Sequence, residues 1–250
     1  MTITPLPDVD YVPPRTFEPR RTTLATPFRG GGGQVAEVGP ARWVATYTTQ
    51  TLDLIQLGAF QAWLDDRRGG LEPFLGHDPL RPLPVQYLAS GLPATTSAGN
   101  PFAGTGAVTA LTATTIRMAG LPANFQFRAG DYVSIVEGAK RGLFRVAADL
   151  LGASNGIATV TVQPDVPLNI FTTAATYSLI KAACLMVIDP HRSARKRRAA
   201  GSRSASAPCR GCSDAHDRCR NPGRPRCGCL CRAGYDPVRL PVRLLRVLDR

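Results

Sequence analysis

Six of the seven cysteines in this 250-residue chain fall between Cys209 and Cys231, in the stretch CRGCSDAHDRCRNPGRPRCGCLC. Cys209, Cys212, His216 and Cys219 are four ligands of the types that hold a tetrahedral zinc ion. The Cys-x-x-Cys pair is common by itself, and no second pair follows at zinc-ribbon spacing. Cys227, Cys229 and Cys231, spaced by single residues, match no finger pattern. Just upstream, RSARKRR (192–198) offers another chemistry, phosphate binding by counterion release. No aromatic side chains interleave with that run for base stacking; Tyr235 is the only aromatic residue after position 190.

Whether these groups do chemistry depends on whether they belong with the rest of the chain. Residues 1–190 carry 14 basic and 14 acidic side chains, so the whole formal charge of +12 lies in residues 191–250. That final segment has fifteen arginines, one lysine and no glutamate, and its hydrophobic periodicity stops. Too little apolar surface is available there to offset chain entropy, so 191–250 reads as a disordered Arg/Cys-rich tail. Arginine, alanine, glycine, proline, serine and cysteine are also what GC-rich codons spell when read out of frame. The abrupt change favours that reading of the tail over a zinc site or a nucleic-acid arm.

Residues 1–190 offer little catalytic chemistry. RGGGGQ (29–34) lacks the Gly-Lys-Ser/Thr ending of a phosphate loop and does not join a strand to a helix, so it reads as a flexible linker. His77 and Asp78, in GHDP, read as the turn that ends a strand, since no nucleophile motif accompanies them. Cys184 sits in an apolar run and reads as a small buried hydrophobe. The sequence predicts no catalytic residue, no cofactor and no resident metal.

The surrounding elements are mostly strands. With 24 glycines and 22 prolines, the composition favours β structure with many turns. No apolar run reaches eighteen residues, and the N-terminus lacks both the basic and the apolar parts of a secretory signal; synthesis in the cytoplasm is the expectation. Residues 1–40, Pro-rich and then Gly-rich, read as an extended arm that wraps over the body or a neighbouring subunit. Strong alternation begins at RWVATYTT (42–49). A helix follows, with Asp53 as N-cap, Leu57, Phe60 and Leu64 on one face beside Trp63, and Gly69 at its C′ position. Asp65 and Asp66 oppose the dipole at its C-terminal end. LEPFLGHDP gives a strand and turn. LASGLPATTSAGNPFAGTGAVTAL reads as an exposed connector, followed by the strand TTIRMAGL. A hairpin turning at Glu137–Lys140, a turn at Asn155–Gly156 and an alternating strand come next. These short strands predict a small barrel or sandwich over 86–170. TYSLIKAACLMVID reads as one further buried strand.

The run RWVATYTTQTLDLIQLGAFQAWLDDRRGGLEPFLGHDP resembles the core of distal tail and minor tail proteins of long-tailed phages, including the lambda minor tail protein M type. The resemblance rests on a strand running into a helix that ends Trp63-Leu64-Asp65-Asp66, on Gly69-Gly70, and on the Phe74 strand with its proline turn. RAGDYV (128–133) and RGLFRV (141–146) extend it toward the prophage variety of GC-rich bacteria, and it covers about 25–190. It implies a β-sandwich from 41–85 with 171–190, flanked by the helix, with 86–170 inserted as a second β module. Trp43, Phe60, Trp63, Leu64 and Phe74 would then be core positions. The family is not enzymatic; it forms a ring, commonly a hexamer, that joins the tail tube to the hub or baseplate of the virion. Tail tube, tape measure and hub proteins are the implied partners. The family closes with further strands after the position of Ile188, where this chain has the tail; a sandwich without them has an unpaired edge.

Two other readings stand beside it. A carbohydrate-binding tail-tip module would use the second β unit, with Tyr132 and Phe144 as candidate platform aromatics. A nucleic-acid-binding protein would act through the basic tail. Purified protein is expected to contain far less than one equivalent of zinc, and to bind DNA no better than a chain ending at residue 190. Stoichiometric zinc, or DNA binding lost on truncation, would return function to the tail.

Overall fold

A computed structural model describes residues 3–12, 16–189 and 241–242. The chain is mainly β with one α-helix among these residues. Three units share its architecture: a closed barrel, a pair of small sheets with the helix, and a long ribbon rooted between them.

The ribbon is the first surprise. Strand β2 (Thr16–Pro27) pairs antiparallel with β3 (Gly33–Thr48) along nearly their whole length. From Thr16 the arm expected to be extended is therefore a hairpin, while Thr4–Leu6 packs on the body as expected; β3 begins nine residues before the predicted strand. Arg29–Gly32 is its turn and not a linker. Gly31 and Gly32 take φ of 88° and 85°, which only glycine accepts without strain. The Phe28 N–H donates to Gly32 O across that turn. Four adjacent glycines hid the hairpin, because they interrupt every periodic signal on either side.

The small sheets meet at the root of this ribbon. Strand β4 (Phe74–His77) pairs in parallel with β1 (Thr4–Pro5) and antiparallel with β13 (Ala183–Met186). Facing it, β3 is flanked by β2 and by a two-residue strand, β14 (Pro241–Val242), whose residues pair with Thr48 and Tyr47. That pairing departs from the expectation of a tail wholly without structure; the rest of 191–250 lies outside the described residues. Between the sheets Leu6, Ala45, Tyr47, Phe74, Cys184 and Met186 form one core. Tyr47 donates its hydroxyl to His77 O at 2.8 Å, tying the two sheets together.

Helix α1 (Leu54–Asp66) is closed at its start as expected. Asp53 accepts from the Gln56 N–H at 2.6 Å, and the Gln56 side chain accepts from the Asp53 N–H, a reciprocal capping box. Its end differs. Left-handed backbone begins at Arg68, with φ of 46°, one residue before the predicted glycine. Arg67 is buried there, its guanidinium 5.7 Å from the Trp63 ring and donating to Pro73 O.

The second β module closes into a six-stranded barrel. Strands β5 (Thr105–Leu111), β6 (Thr115–Ala119), β8 (Tyr132–Glu137), β9 (Lys140–Val146), β11 (Ala158–Gln163) and β12 (Thr176–Ser178) run in the order β11-β6-β5-β12-β8-β9. Side chains such as Ile116, Met118, Val133, Ile135, Phe144, Val160 and Tyr177 fill the interior. Gln126–Phe127 (β7) pairs with Leu150–Leu151 (β10) beside the barrel. Two expectations change here. The connector read as exposed contributes β5, its strand pattern masked by Gly106 and small side chains. TYSLIKAACLMVID is two strands, because Lys181 turns left-handed at φ of 43°; β12 closes the barrel and β13 returns to the small sheets.

His77 carries a pH consequence. Burial, and secondarily Lys181, lower its pKa to about 4 from an ordinary 6.5. Between these values the unfolded chain takes up a proton that the folded chain refuses, so stability falls as pH drops through that window. The melting temperature should decrease from pH 7 to pH 4.5, and less steeply in His77→Gln. An identical pH profile for the variant would contradict this account.

Candidate interaction surface

The predicted core positions come together as expected for three residues and in part for two. Trp43, Phe60 and Phe74 are buried, at 3%, 2% and 0% exposure. Trp63 and Leu64 are half-buried and pack against the small-sheet core from α1. Trp63 meets Phe74 edge-on at 5.2 Å and lies 5.9 Å from Phe60. The candidate ligands Cys209, Cys212, His216 and Cys219 lie outside the described residues. Among the described residues, no three His, Cys, Asp or Glu side chains cluster as a metal site. Tyr132 and Phe144 are buried, at 7% and 2%, so neither forms an exposed glycan platform. His77 and Asp78 end β4 as predicted, with Asp78 Oδ1 accepting from the Leu80 N–H in the turn.

The geometry instead gathers around the root of the ribbon. Alternation along β8 and β9 sends Val133, Ile135, Phe144 and Val146 into the barrel. The residues between them, Tyr132, Leu143 and Arg145, face outward onto the ribbon. Tyr132 and Arg145 are directly paired across these strands. Phe17 stands edge-on to Tyr132 at 5.4 Å, and Trp43 does so at 5.8 Å. Arg145 lies 5.5 Å from both the Trp43 and Tyr132 ring centres. Its guanidinium also donates to Phe17 O at 2.9 Å, and the Trp43 indole donates to Leu143 O at 2.7 Å. Aromatic, cation–π and hydrogen-bond contacts thus bind both ribbon strands to the barrel wall. Sequence reasoning missed Arg145, although the alternation of RGLFRV placed it on the face opposite Phe144.

A second anchor fixes the connector. Asp131, 1% exposed, accepts from the Val85 N–H and the Arg128 N–H, both at 2.8 Å. Burial raises its pKa, against the lowering by these two bonds. Its position at a barrel corner makes it a positioning group.

Beyond its root the ribbon leaves the body. Every residue from Arg20 to Val38 is exposed, a projection of roughly 25 Å at about 3.3 Å per residue. Leu24 pairs with Ala36 and Ala25 with Val35, and adjacent pairs point to opposite faces, so both faces carry apolar groups. Leu24, Phe28, Val35 and Val38 are 61%, 55%, 68% and 65% exposed. At the root, an open cleft of about 650 Å³ separates β3 from the barrel, with Trp43, Phe144, Phe171, Arg141 and Asp165 in its walls.

Helix α1 shows a matching property. Its inner face carries Phe60 with Leu57, Trp63 and Leu64, yet its outer face is apolar too: Leu54 and Ile55 are 75% and 84% exposed. No helix among the described residues is long and apolar enough to cross a membrane. Neither a family model nor a curated protein matches the chain.

The root and the projection should respond differently to substitution. Trp43→Ala is expected to cost about 3–5 kcal/mol in urea unfolding of the chain. Leu24→Ser and Val35→Ser should each change it by less than about 0.5 kcal/mol. A large loss from either ribbon substitution would mean the projection is packed within its own chain.

Proposed function

We propose that this chain is a non-enzymatic structural component of a phage or prophage tail tip. It self-associates into a ring that joins the tail tube to the hub or baseplate. The observation that carries the reading is the ribbon. An isolated two-stranded hairpin is at best marginal in water, and this one exposes apolar side chains on both faces. A surface of that kind is suited to being covered on assembly. The resemblance carried by RWVATYTT, the α1 segment, Gly69-Gly70 and the Phe74 strand supplies the class of assembly, a ring, six-fold in the family it resembles. Tube, tape measure and hub proteins are its partners on this reading, and the virion tail its location.

Ring closure requires two unlike patches on each copy, related by a rotation that closes. The exposed ribbon and the exposed outer face of α1 are two such patches. Size-exclusion chromatography with mass measurement, followed by electron microscopy, is expected to show a closed ring of a single stoichiometry. A persistent monomer at high concentration would overturn the reading.

A further inference from the structure

We infer that the ring contact is made by the ribbon of one copy lying along the outer face of α1 of the next. The inference rests on the ring reading and names the surfaces that form it. Both surfaces are exposed within a single chain, so a copy's own ribbon does not cover its own helix. Each is apolar where an isolated chain would favour polar groups.

The two surfaces fit in length, chemistry and charge. Thirteen residues make α1 about 20 Å long, close to the roughly 25 Å of projecting ribbon. Successive helical turns place Ile55, Ala59 and Ala62 in one stripe, opposite Leu57, Phe60 and Leu64, and all three stripe residues are exposed. Leu54 flanks the stripe, whose small side chains beyond Ile55 let a flat ribbon come close. Leu24, paired with Ala36, is the large apolar group that one face of the ribbon brings to it; Val35, paired with Ala25, lies on the other face. At the end of the stripe stand the exposed Asp65 and Asp66. Arg67 pairs with Asp66, while Asp65 opposes the helix dipole. The projecting ribbon carries Arg20, Arg21 and Arg29 against the single Glu37, which Arg21 bonds at 3.1 Å. The surplus cations stand at the ribbon's two ends, Arg20 at the root and Arg29 at the tip, so either orientation along α1 brings one of them to the acidic helix end.

A complementation experiment on the full chain, under reducing conditions, tests this contact. Leu24→Asp disables the ribbon and leaves the helix face intact; Ile55→Asp does the reverse. Both positions are more than half exposed, so each variant should keep the wild-type circular dichroism spectrum and melting temperature of the dissociated chain. Each variant alone should be monomeric where the wild type forms rings. Mixed in equal amounts, they should form a 1:1 heterodimer and nothing larger, because one intact ribbon then meets one intact helix face. Rings formed by either variant alone, or a mixture that stays monomeric, would overturn the contact while leaving the ring reading standing. A monomeric wild type would remove both.

Discussion

Arg145 lies between two aromatic rings, Trp43 and Tyr132, and donates to the backbone of Phe17. The ribbon's direction depends on this arrangement. Strands β2 and β3 have no other extensive hold on the barrel, and two strands alone do not fix their own path in water. Trp43 adds a directional bond to Leu143 O, which prevents β3 from sliding along β9. The barrel matters because its strands are buried on both sides at this point. The same alternation that fills its interior with Phe144 and Val146 presents Leu143 and Arg145 to the ribbon. The barrel is the rigid base and the ribbon the lever it holds.

The distribution of apolar surface follows from that geometry. Near the root, β3 is buried from Trp43 to Ala45 and at Tyr47, between the barrel wall and the sheet of β4 and β13. Beyond Arg20 and Arg42 the strands part from the barrel across an open cleft and then stand free, yet Leu24, Phe28, Val35 and Val38 persist. At roughly 25 cal/mol per Å² of apolar area, covering these side chains would stabilise an assembly while contributing nothing to the single chain. Helix α1 has the same character, with Phe60 turned inward and Ile55 outward. An apolar outer face on a surface helix is a cost in a monomer that burial against a second copy, as proposed, would offset.

Much of this was legible from local signals. The N-cap Asp53 marks the start of α1, Glu137–Lys140 forms the predicted tight turn, and the β11 alternation reads directly as in-out burial. Trp43, Phe60 and Phe74 are core residues because large aromatic side chains in periodic positions seldom have another place. What escaped was set by long-range pairing. The ribbon's strands are rich in threonine, alanine and glycine around Gly30–Gly33, so only the partner strand reveals each as β. The division of TYSLIKAACLMVID depends on Lys181 adopting a backbone conformation that no side-chain pattern announces. Nothing local marks Arg145; its place is set by Trp43, a hundred residues earlier, brought against it. The pairing of Pro241–Val242 with Tyr47 and Thr48 likewise had no signal in a segment dominated by arginine and cysteine.

The proposal turns on whether copies associate and whether residues 20–38 are covered when they do. Hydrogen–deuterium exchange, compared between the assembled protein and a chain dissociated by dilution or by Ile55→Asp, measures that directly. Amides of Arg20–Val38 and of Leu54–Asp66 should become slower to exchange together on assembly, with the barrel strands unchanged. Assembly that protects other segments while the ribbon exchanges as fast as in the dissociated chain would contradict the account.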